Sequence, residues 1–246
     1  MRLTYRISMN LILFDQHEIR GATLGLTGRR ARHILEVHRA REGDELRVGQ
    51  IDGMIGSAIL TDIIDDSEQP EVRLEVALKV EPPPPLDLTL FLALPRPKFL
   101  KKTLQTVATL GVKDIYLMNA VRVEKVYWSC EQLSENEVRE AFLLGLEQAR
   151  DTKLPRLHMR RLFKPFVEDE APALIRDRKS YVAHPTATAE CPRGLASSLA
   201  LAIGPEGGFI PYEVAHLENA GFTPVTIGPR ILKVETAVTA LISRLC

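Results

Sequence analysis

A loop with one carboxylate among glycines is the stretch of the chain that says most about chemistry. In "LAIGPEGGFIPYE", residues 201–213, an apolar run leads into Gly204, Glu206 and the pair Gly207 and Gly208. Glycines allow a backbone to approach a ligand closely. The stretch matches neither GxGxxG nor GxxxxGK[ST], and the negative charge of Glu206 would repel a phosphate. The loop therefore favours a ligand that is partly cationic or that offers hydrogen-bond donors.

Two other stretches also place polar side chains directly after an apolar run. "VTIGPRILKVETAV", residues 225–238, carries Arg230 and Glu235, and "YVAHPTA", residues 181–187, carries His184. In open α/β sheets, ligands bind outside the carboxyl ends of the strands, so the three stretches together predict one pocket. A plain structural explanation stays open for each: an ordinary turn, a solvated arginine, a loop histidine, or an acid favoured by the helix dipole.

The composition is that of a globular chain without a strong electrostatic bias. Of its 246 residues, 45% are hydrophobic, which is enough for a sizeable core. Its 32 basic and 32 acidic residues cancel, so attraction to nucleic acid must come from local patches. The three cysteines lack metal-ligand spacing, which favours free thiols in a reducing cytosol over a disulfide framework or a zinc site.

No apolar run reaches the roughly 18 residues that a membrane-spanning helix needs. The N-terminus also lacks the apolar segment and cleavage site of a signal peptide. We therefore expect a cytoplasmic protein with neither a membrane partner nor a metal. Met9 is a second candidate start.

The first third of the chain has the pattern of a small β-barrel with one helix. Its apolar runs are short and are bounded by Gly or Asp. The helix is predicted over "RRARHILEVHRA". Period-two alternation in "VRLEVALKV" predicts a half-buried strand with one apolar face, formed by Val72, Leu74, Val76, Leu78 and Val80.

Consecutive prolines in "EPPPPLD", residues 81–87, can continue neither a helix nor a strand ladder. We therefore predict one domain over 1–81 and another over 86–246, with a linker at 82–85.

Strands alternate with long helical segments after the prolines. "LDLTLFLAL" predicts a strand covered on both faces, and "PKFLKKTLQTVATLG" a helix that ends at Gly111. Ser134 and Glu137 form a capping box at the start of the next helix. This alternation predicts an α/β domain with a mainly parallel sheet covered by helices.

Two motifs, "IGPEGGF" and "IGPRILKVETA", stand about 24 residues apart, and "RRARHILEVHRAREGDELRV" precedes them near the N-terminus. In this order they resemble the RsmE family over nearly the whole chain. The resemblance implies a SPOUT-superfamily methyltransferase that uses S-adenosyl-L-methionine to methylate N3 of one uridine in 16S rRNA of the 30S subunit. It also implies a PUA-like β-barrel, an α/β domain with a trefoil knot, and a homodimer.

The resemblance assigns the cofactor to the three strand-end loops. The sulfonium and ammonium groups of S-adenosyl-L-methionine suit a loop that contains a carboxylate. The positions implied as cofactor-binding are Ala183, His184, Pro185, Ile203, Gly204, Pro205, Glu206, Gly207, Gly208, Ile227, Gly228, Arg230, Ile231, Leu232, Lys233, Glu235 and Thr236.

Uridine N3 is a poor nucleophile while it holds its proton, so the reaction needs a proton acceptor or a cation near the flanking carbonyl oxygens. Arg230 is the candidate cation, since its guanidinium cannot act as a base. Either Glu235 or water is the candidate proton acceptor.

Basic residues are segregated along the chain: residues 28–41 contain five arginines against one acid. Such patches neutralise RNA phosphates, although each could also be a solvated face. The chain departs from the family's pattern at His38, at Arg150 and over residues 96–102. The predicted RNA contacts are Arg29, Arg30, Arg32, His33, Arg39, Arg41, Arg96, Lys98, Lys101, Lys102 and Arg150.

Two other functional classes stay open. One is a nucleotide-dependent α/β enzyme that uses the same strand ends, although the phosphate-loop patterns are missing. The other is a non-catalytic ribosome-binding module that relies on the barrel and the basic patches, although such a module would not need the glycine loops.

Overall fold

The computed structural model describes residues 10–64 and 69–246, so the alternative start at Met9 lies outside the described residues. The chain divides into two compact units. The N-terminal unit extends to Pro84 and also includes residues 146–154, and the C-terminal unit comprises residues 85–145 and 155–246.

The N-terminal unit contains a curled six-stranded sheet in the order β1-β4-β5-β6-β3-β2. Strands β1 and β4 are parallel, and the other pairs are antiparallel. Apolar side chains of the sheet form the core of this unit, in which Phe14, Leu60 and Leu74 are fully buried. The strands are β1 (Ile12–Phe14), β2 (Ile19–Arg20), β3 (Thr23–Leu26), β4 (Glu45–Gln50), β5 (Ile55–Ile64) and β6 (Glu71–Val80).

The predicted helix of this unit is shorter than expected and changes its winding. Helix α1 covers Gly28–Arg32 and continues as a π-helical turn, His33–Val37. Ala31 and Ile34 are buried in the core, which explains why the segment lies against the sheet. A short 3₁₀ helix, Gln16–Glu18, follows β1.

The predicted apolar face of β6 is correct except at its end. Val72 and Leu74 are fully buried, and Val76 and Leu78 pack against the core. Val80 is 58% exposed, so its assignment to that face was wrong. The β5–β6 ladder shifts register between Ile55 and Gly56, and Val80 lies beyond that shift.

Residues 146–154 belong to the N-terminal unit although they are distant from it in sequence. Leu11 donates a backbone hydrogen bond to Glu147, and Asp52 donates one to Thr152. The hydroxyl of Thr152 also donates to the carbonyl of Gly53 at 2.5 Å. Neither the composition nor the periodicity of the sequence indicated that residues 146–154 would pack with the N-terminal unit.

The C-terminal unit contains a six-stranded sheet in which every pair is parallel, in the order β12-β10-β11-β7-β8-β9. Leu90, Phe91 and Leu92 of β7 are fully buried, as the sequence predicted for a strand covered on both faces. The strands are β7 (Leu86–Ala93), β8 (Val112–Met118), β9 (Arg156–Arg160), β10 (Lys179–Ala183), β11 (Leu199–Ile203) and β12 (Thr223–Val225).

The predicted helix boundaries of this unit are confirmed. Gly111 follows α2 with φ of +84°. At the start of α3 the backbone N–H of Glu137 donates to the Ser134 hydroxyl at 3.4 Å, whereas the backbone N–H of Ser134 donates to the carbonyl of Glu131, which departs from the predicted reciprocal capping box. Two short 3₁₀ helices, Lys125–Ser129 and Glu131–Leu133, precede α3, and a π-helical turn, Phe166–Glu170, joins α4 to α5. The helices are α2 (Pro97–Thr109), α3 (Glu135–Ala149), whose last four residues belong to the N-terminal unit, α4 (Phe163–Pro165), α5 (Ala171–Leu174), α6 (Pro211–Ala220) and α7 (Val234–Leu245).

Within the described residues, no helix combines the length and the apolar character needed to cross a membrane. Nor does that part of the chain contain a cluster of His, Cys, Asp or Glu that could hold a metal ion. The three cysteines are free thiols, and burial raises the pKa of Cys191.

Candidate active site

The carboxyl ends of three adjacent strands form the candidate site. In the parallel ladders, Ala183 at the end of β10 pairs with Ile203 at the end of β11 and with Val225 at the end of β12. The loops that follow these strands therefore leave the sheet at the same edge. They surround a cavity of about 200 Å³.

Most of the predicted cofactor positions line this one cavity. Five lining residues were not predicted to bind the cofactor: Val225, Thr226, Val234, Ala237 and Leu241. The spacing of the last three on α7 could have indicated them, since such residues share a helix face. The predicted positions in the lining are Ala183, His184, Pro185, Ile203, Gly204, Pro205, Glu206, Gly207, Gly208, Ile227, Gly228, Arg230, Ile231 and Leu232.

The lining does not include three other predicted positions of the described chain, Lys233, Glu235 and Thr236. Lys233 is the N-cap residue of α7, and Glu235 and Thr236 are in its first turn. A carboxylate there interacts favourably with the positive end of the helix dipole, which by itself accounts for an acid at Glu235.

The glycine loop, residues 204–208, has a conformation that requires glycine at two positions, Gly204 and Gly208. A Cβ atom on Gly204 would lie 2.9 Å from the backbone nitrogen of Phe209, where the loop folds back on itself. Gly208 has φ of +73° and donates a backbone hydrogen bond to the carbonyl of Pro205 at 2.7 Å. The glycines therefore shape a tight turn directly at the cavity wall.

Glu206 projects from this turn, and its side chain is anchored at one oxygen. Its Oε1 accepts a hydrogen bond of 3.0 Å from the backbone N–H of Arg96, the N-cap residue of α2. Glu206 is half-buried and lines the cavity. A negative charge is thus held in a defined position beside the glycines.

His184 and Arg230 occupy the other two loops of the cavity. The Nδ1 of His184 is 3.0 Å from the hydroxyl of Thr186, and its backbone N–H donates to Val225. Arg230 is exposed, and the adjacent Ile231 is 80% exposed. A guanidinium in this position can interact with a molecule that enters the cavity from solvent.

Glu213 is a structural acid that sequence reasoning missed. It is fully buried in the first turn of α6. Its Oε1 accepts from the backbone N–H of Val121 at 2.7 Å, and its Oε2 accepts from that of Ile210 at 2.9 Å. The carboxylate of Glu213 therefore caps α6 and, through these two hydrogen bonds, connects the loop after β8 with the end of the glycine-rich segment.

Among the predicted RNA contacts of the N-terminal unit, side-chain partners within the fold are found for Arg29, Arg30 and His33. Arg29 pairs with Glu147 at 2.9 Å, and Arg30 pairs with Glu18. The ring of His33 packs edge-on against that of His38, with 4.6 Å between centroids. Arg39 and Arg150 both have positive φ, and Arg32 and Arg41 are exposed.

In the C-terminal unit, the predicted contacts lie around the start of α2. Arg96, Lys98 and Lys102 are exposed. Lys101 lies 2.6 Å from Glu140 and 3.2 Å from Glu137, and the hydrogen bond to Glu140 raises the pKa of its ammonium group. These residues stay predicted RNA contacts.

Replacement of Glu213 by glutamine should lower the free energy of unfolding by about 1–3 kcal/mol. The amide keeps one acceptor oxygen but presents an NH₂ group to the second backbone N–H, which then loses its partner in the interior. Chemical denaturation would measure the change. Glu218→Gln, at an exposed acid of the same helix, is the matched control. Equal stability of the two variants would contradict the capping role.

The sequence is similar to those of known RNA methyltransferases. Residues 82–246 match the family described as RNA methyltransferase domain. The chain is 29% identical over 238 residues to ribosomal RNA small subunit methyltransferase E of Treponema pallidum, covering 94% of this chain and 88% of that protein. It is 24% identical to the Mycobacterium bovis protein of the same name, covering 88% of this chain and 83% of that one.

Two solved structures have the same fold. Ribosomal RNA small subunit methyltransferase E of Neisseria gonorrhoeae, solved with S-adenosyl methionine, superposes with a TM-score of 0.70 at 21% identity, covering 96% of this chain and 95% of that one. A Legionella pneumophila protein, also solved with the cofactor bound, gives 0.72 at 23% identity and covers 95% of each chain. On the match of residues 82–246 and the similarity along nearly its full length, the chain belongs to the RsmE family of RNA methyltransferases.

Proposed function

We propose that the protein transfers a methyl group from S-adenosyl-L-methionine to N3 of a uridine in 16S rRNA of the small ribosomal subunit. The observation that carries this proposal is the convergence of both signature motifs on one cavity at the carboxyl ends of β10, β11 and β12. Membership of an RNA methyltransferase family supports it. Because the proposed substrate is part of the ribosome, a cytoplasmic location belongs to the same proposal.

The residues at the cavity fit this cofactor. Ile203, Ile227 and Leu232 provide apolar walls for a flat base, and the glycine loop lets backbone groups approach polar edges. Glu206 supplies the single carboxylate of the lining, which suits a ligand that bears positive charge. A nucleotide phosphate would meet that carboxylate unfavourably, so the same lining argues against the nucleotide-dependent alternative.

When bound there, the cofactor supplies an electrophilic methyl group. Arg230 then stabilises the negative charge that develops on the uracil carbonyl oxygens as N3 loses its proton. Glu235 or a water molecule accepts that proton. Glu235 is in the first turn of α7 and outside the cavity lining, which favours water over Glu235 as the proposed acceptor.

We further propose the architecture that the family resemblance implies: a PUA-like barrel for the N-terminal sheet and a trefoil knot in the C-terminal unit. The end of α7 supports the knot. Gly194 and Leu195 donate backbone hydrogen bonds to Arg244 and Leu245, and the guanidinium of Arg244 donates to the carbonyl of Cys191. The final helix is thus held against the loop that follows β10.

A homodimer is part of the same proposal. Leu241, Ile242 and Leu245 of α7 are buried within the chain, so they are core residues and do not offer a subunit interface. Ile231, which is 80% exposed at the rim of the cavity, is a better candidate for contact with a second subunit.

RNA binding is proposed for the basic residues of both units. The partners found for Arg29, Arg30 and Lys101 are carboxylates at least partly open to solvent, so RNA phosphates can compete for these cations. Because such binding releases counterions from RNA, its affinity should fall steeply with salt concentration.

The direct test is transfer of labelled methyl groups from S-adenosyl-L-methionine to 30S subunits that lack modified uridines, followed by nucleoside digestion and chromatography. We expect the label in 3-methyluridine. Free 16S rRNA as a parallel substrate would show whether the assembled subunit is required. Label in another nucleoside would reject the proposed target, and cofactor binding without any label would favour an adaptor function.

Glu206→Gln should weaken binding of S-adenosyl-L-methionine by up to about fivefold, as expected for the loss of one partly exposed charge pair. Glutamine retains an oxygen that can accept the Arg96 hydrogen bond, so the substitution removes the charge with little change in the loop. Isothermal titration calorimetry would measure the affinity, with uncharged adenosine as the control ligand. An equal effect on both ligands would reject the charge argument.

Arg230→Ala should reduce the methyl-transfer rate by roughly 10²-fold, the usual cost of losing one group that stabilises transition-state charge. Binding of S-adenosyl-L-methionine, measured by calorimetry, should change little. Arg230→Lys keeps the charge and should recover part of the rate. Parallel losses of binding and rate in the alanine variant would assign Arg230 to the cofactor instead.

A further inference from the structure

Arg122, in the loop after β8, contacts the glycine loop directly. Its guanidinium donates a hydrogen bond to the carbonyl oxygen of Gly207, 85 residues later in the chain. A Cβ atom on Gly207 would lie 2.7 Å from Cδ of Arg122 and 3.3 Å from its Cβ. The absence of a side chain at Gly207 thus leaves room for the stem of Arg122.

The hydrogen bond from Arg122 restrains the orientation of one peptide group in the cavity wall, the one between Gly207 and Gly208. The peptide between Gly207 and Gly208 is planar, so its C=O and N–H groups turn together. The C=O accepts from Arg122, and the N–H donates to the carbonyl of Pro205 at 2.7 Å. Because glycines flank this peptide on both sides, their own φ and ψ preferences barely restrict it. The two hydrogen bonds therefore decide its orientation.

The residue before Arg122 is fixed independently. The backbone N–H of Val121 donates to the buried carboxylate of Glu213, which also caps α6. Arg122 consequently projects from an anchored point of the chain, and its guanidinium reaches the glycine loop from a defined direction.

We propose that Arg122 is a positioning residue for the cofactor: it fixes the peptide between Gly207 and Gly208 so that the glycine loop presents a preformed wall to S-adenosyl-L-methionine. This inference rests on the proposed function and extends it to a residue outside the cavity lining. Without Arg122, the peptide samples other orientations, and binding must select one of them at a cost in affinity.

The primary test is calorimetric titration of S-adenosyl-L-methionine into the full-length protein and its Arg122→Ala variant. We expect a dissociation constant roughly two- to tenfold higher in the variant, the range for one partly solvated hydrogen bond. Arg122→Lys retains a donor and should recover part of the affinity. Lys125→Ala, which removes an exposed cation from the 3₁₀ helix directly after this loop, is the charge-matched control and should bind normally.

Kinetics distinguish positioning from a role in the reaction. In Arg122→Ala, the KM for the cofactor should rise in parallel with the dissociation constant, while kcat at saturating cofactor stays within about twofold. The melting temperature of the ligand-free variant should equal that of the parent. A fall in kcat with an unchanged dissociation constant would overturn the proposal, because it would place Arg122 at the RNA or the reacting atoms.

A double-mutant cycle tests whether Arg122 acts through Gly207. Gly207→Ala should weaken cofactor binding in the parent, since the new methyl group displaces Arg122. In the Arg122→Ala background the Cδ and Cγ atoms are gone and only the Cβ of residue 122, at 3.3 Å, still faces the new methyl group, so the further cost should be smaller than in the parent. If Gly207→Ala lowered the cofactor affinity equally in the two backgrounds, the proposal that Arg122 acts through Gly207 would be overturned. Failure of the unmodified protein to bind the cofactor would instead reject the proposed function itself, and the two failures are therefore distinguishable.

Discussion

The parallel pairing of β10 with both β11 and β12 is the constraint on which the candidate site depends. Because the ladders align Ala183 with Ile203 and with Val225, three loops distant in sequence must leave the sheet at one edge. Each loop alone is an unremarkable turn between a strand and the segment after it. Because the loops share one edge of the sheet, a carboxylate, an arginine and several glycines line the same cavity.

Local sequence patterns predicted the parts of the fold that depend on local physics. The glycine after α2 and the hydrogen bond from Glu137 to the Ser134 hydroxyl correspond to features of the structure, because backbone conformation and nearby hydrogen bonds decide them. The convergence of the strand-end loops was also predicted, since parallel βα topology leaves few alternatives. Recognition of the two glycine motifs supplied what periodicity could not, namely the chemical identity of the ligand.

Long-range interactions account for what sequence reasoning missed. The carboxylate partners of Arg29 and Lys101 come from a distant segment of the chain, so a local count of charges overstated how free these cations are. Nothing in the sequence indicated that a carboxylate oxygen of Glu213 accepts a hydrogen bond from the distant backbone N–H of Val121. Arg122 has no motif of its own, and its contact with Gly207 is visible only in three dimensions.

The return of residues 146–154 to the N-terminal unit bears on how the protein can be divided into fragments. The backbone passes from one unit to the other three times, at residues 84–85, 145–146 and 154–155. A fragment that starts after the proline run would retain the segment containing Glu147 and Thr152 but lose its partners Leu11, Asp52 and Gly53. The polar backbone of that segment would then need water or a non-native partner, which favours misassembly. A fragment that begins directly after the proline run, residues 81–87, is therefore unsuitable for producing the C-terminal unit alone.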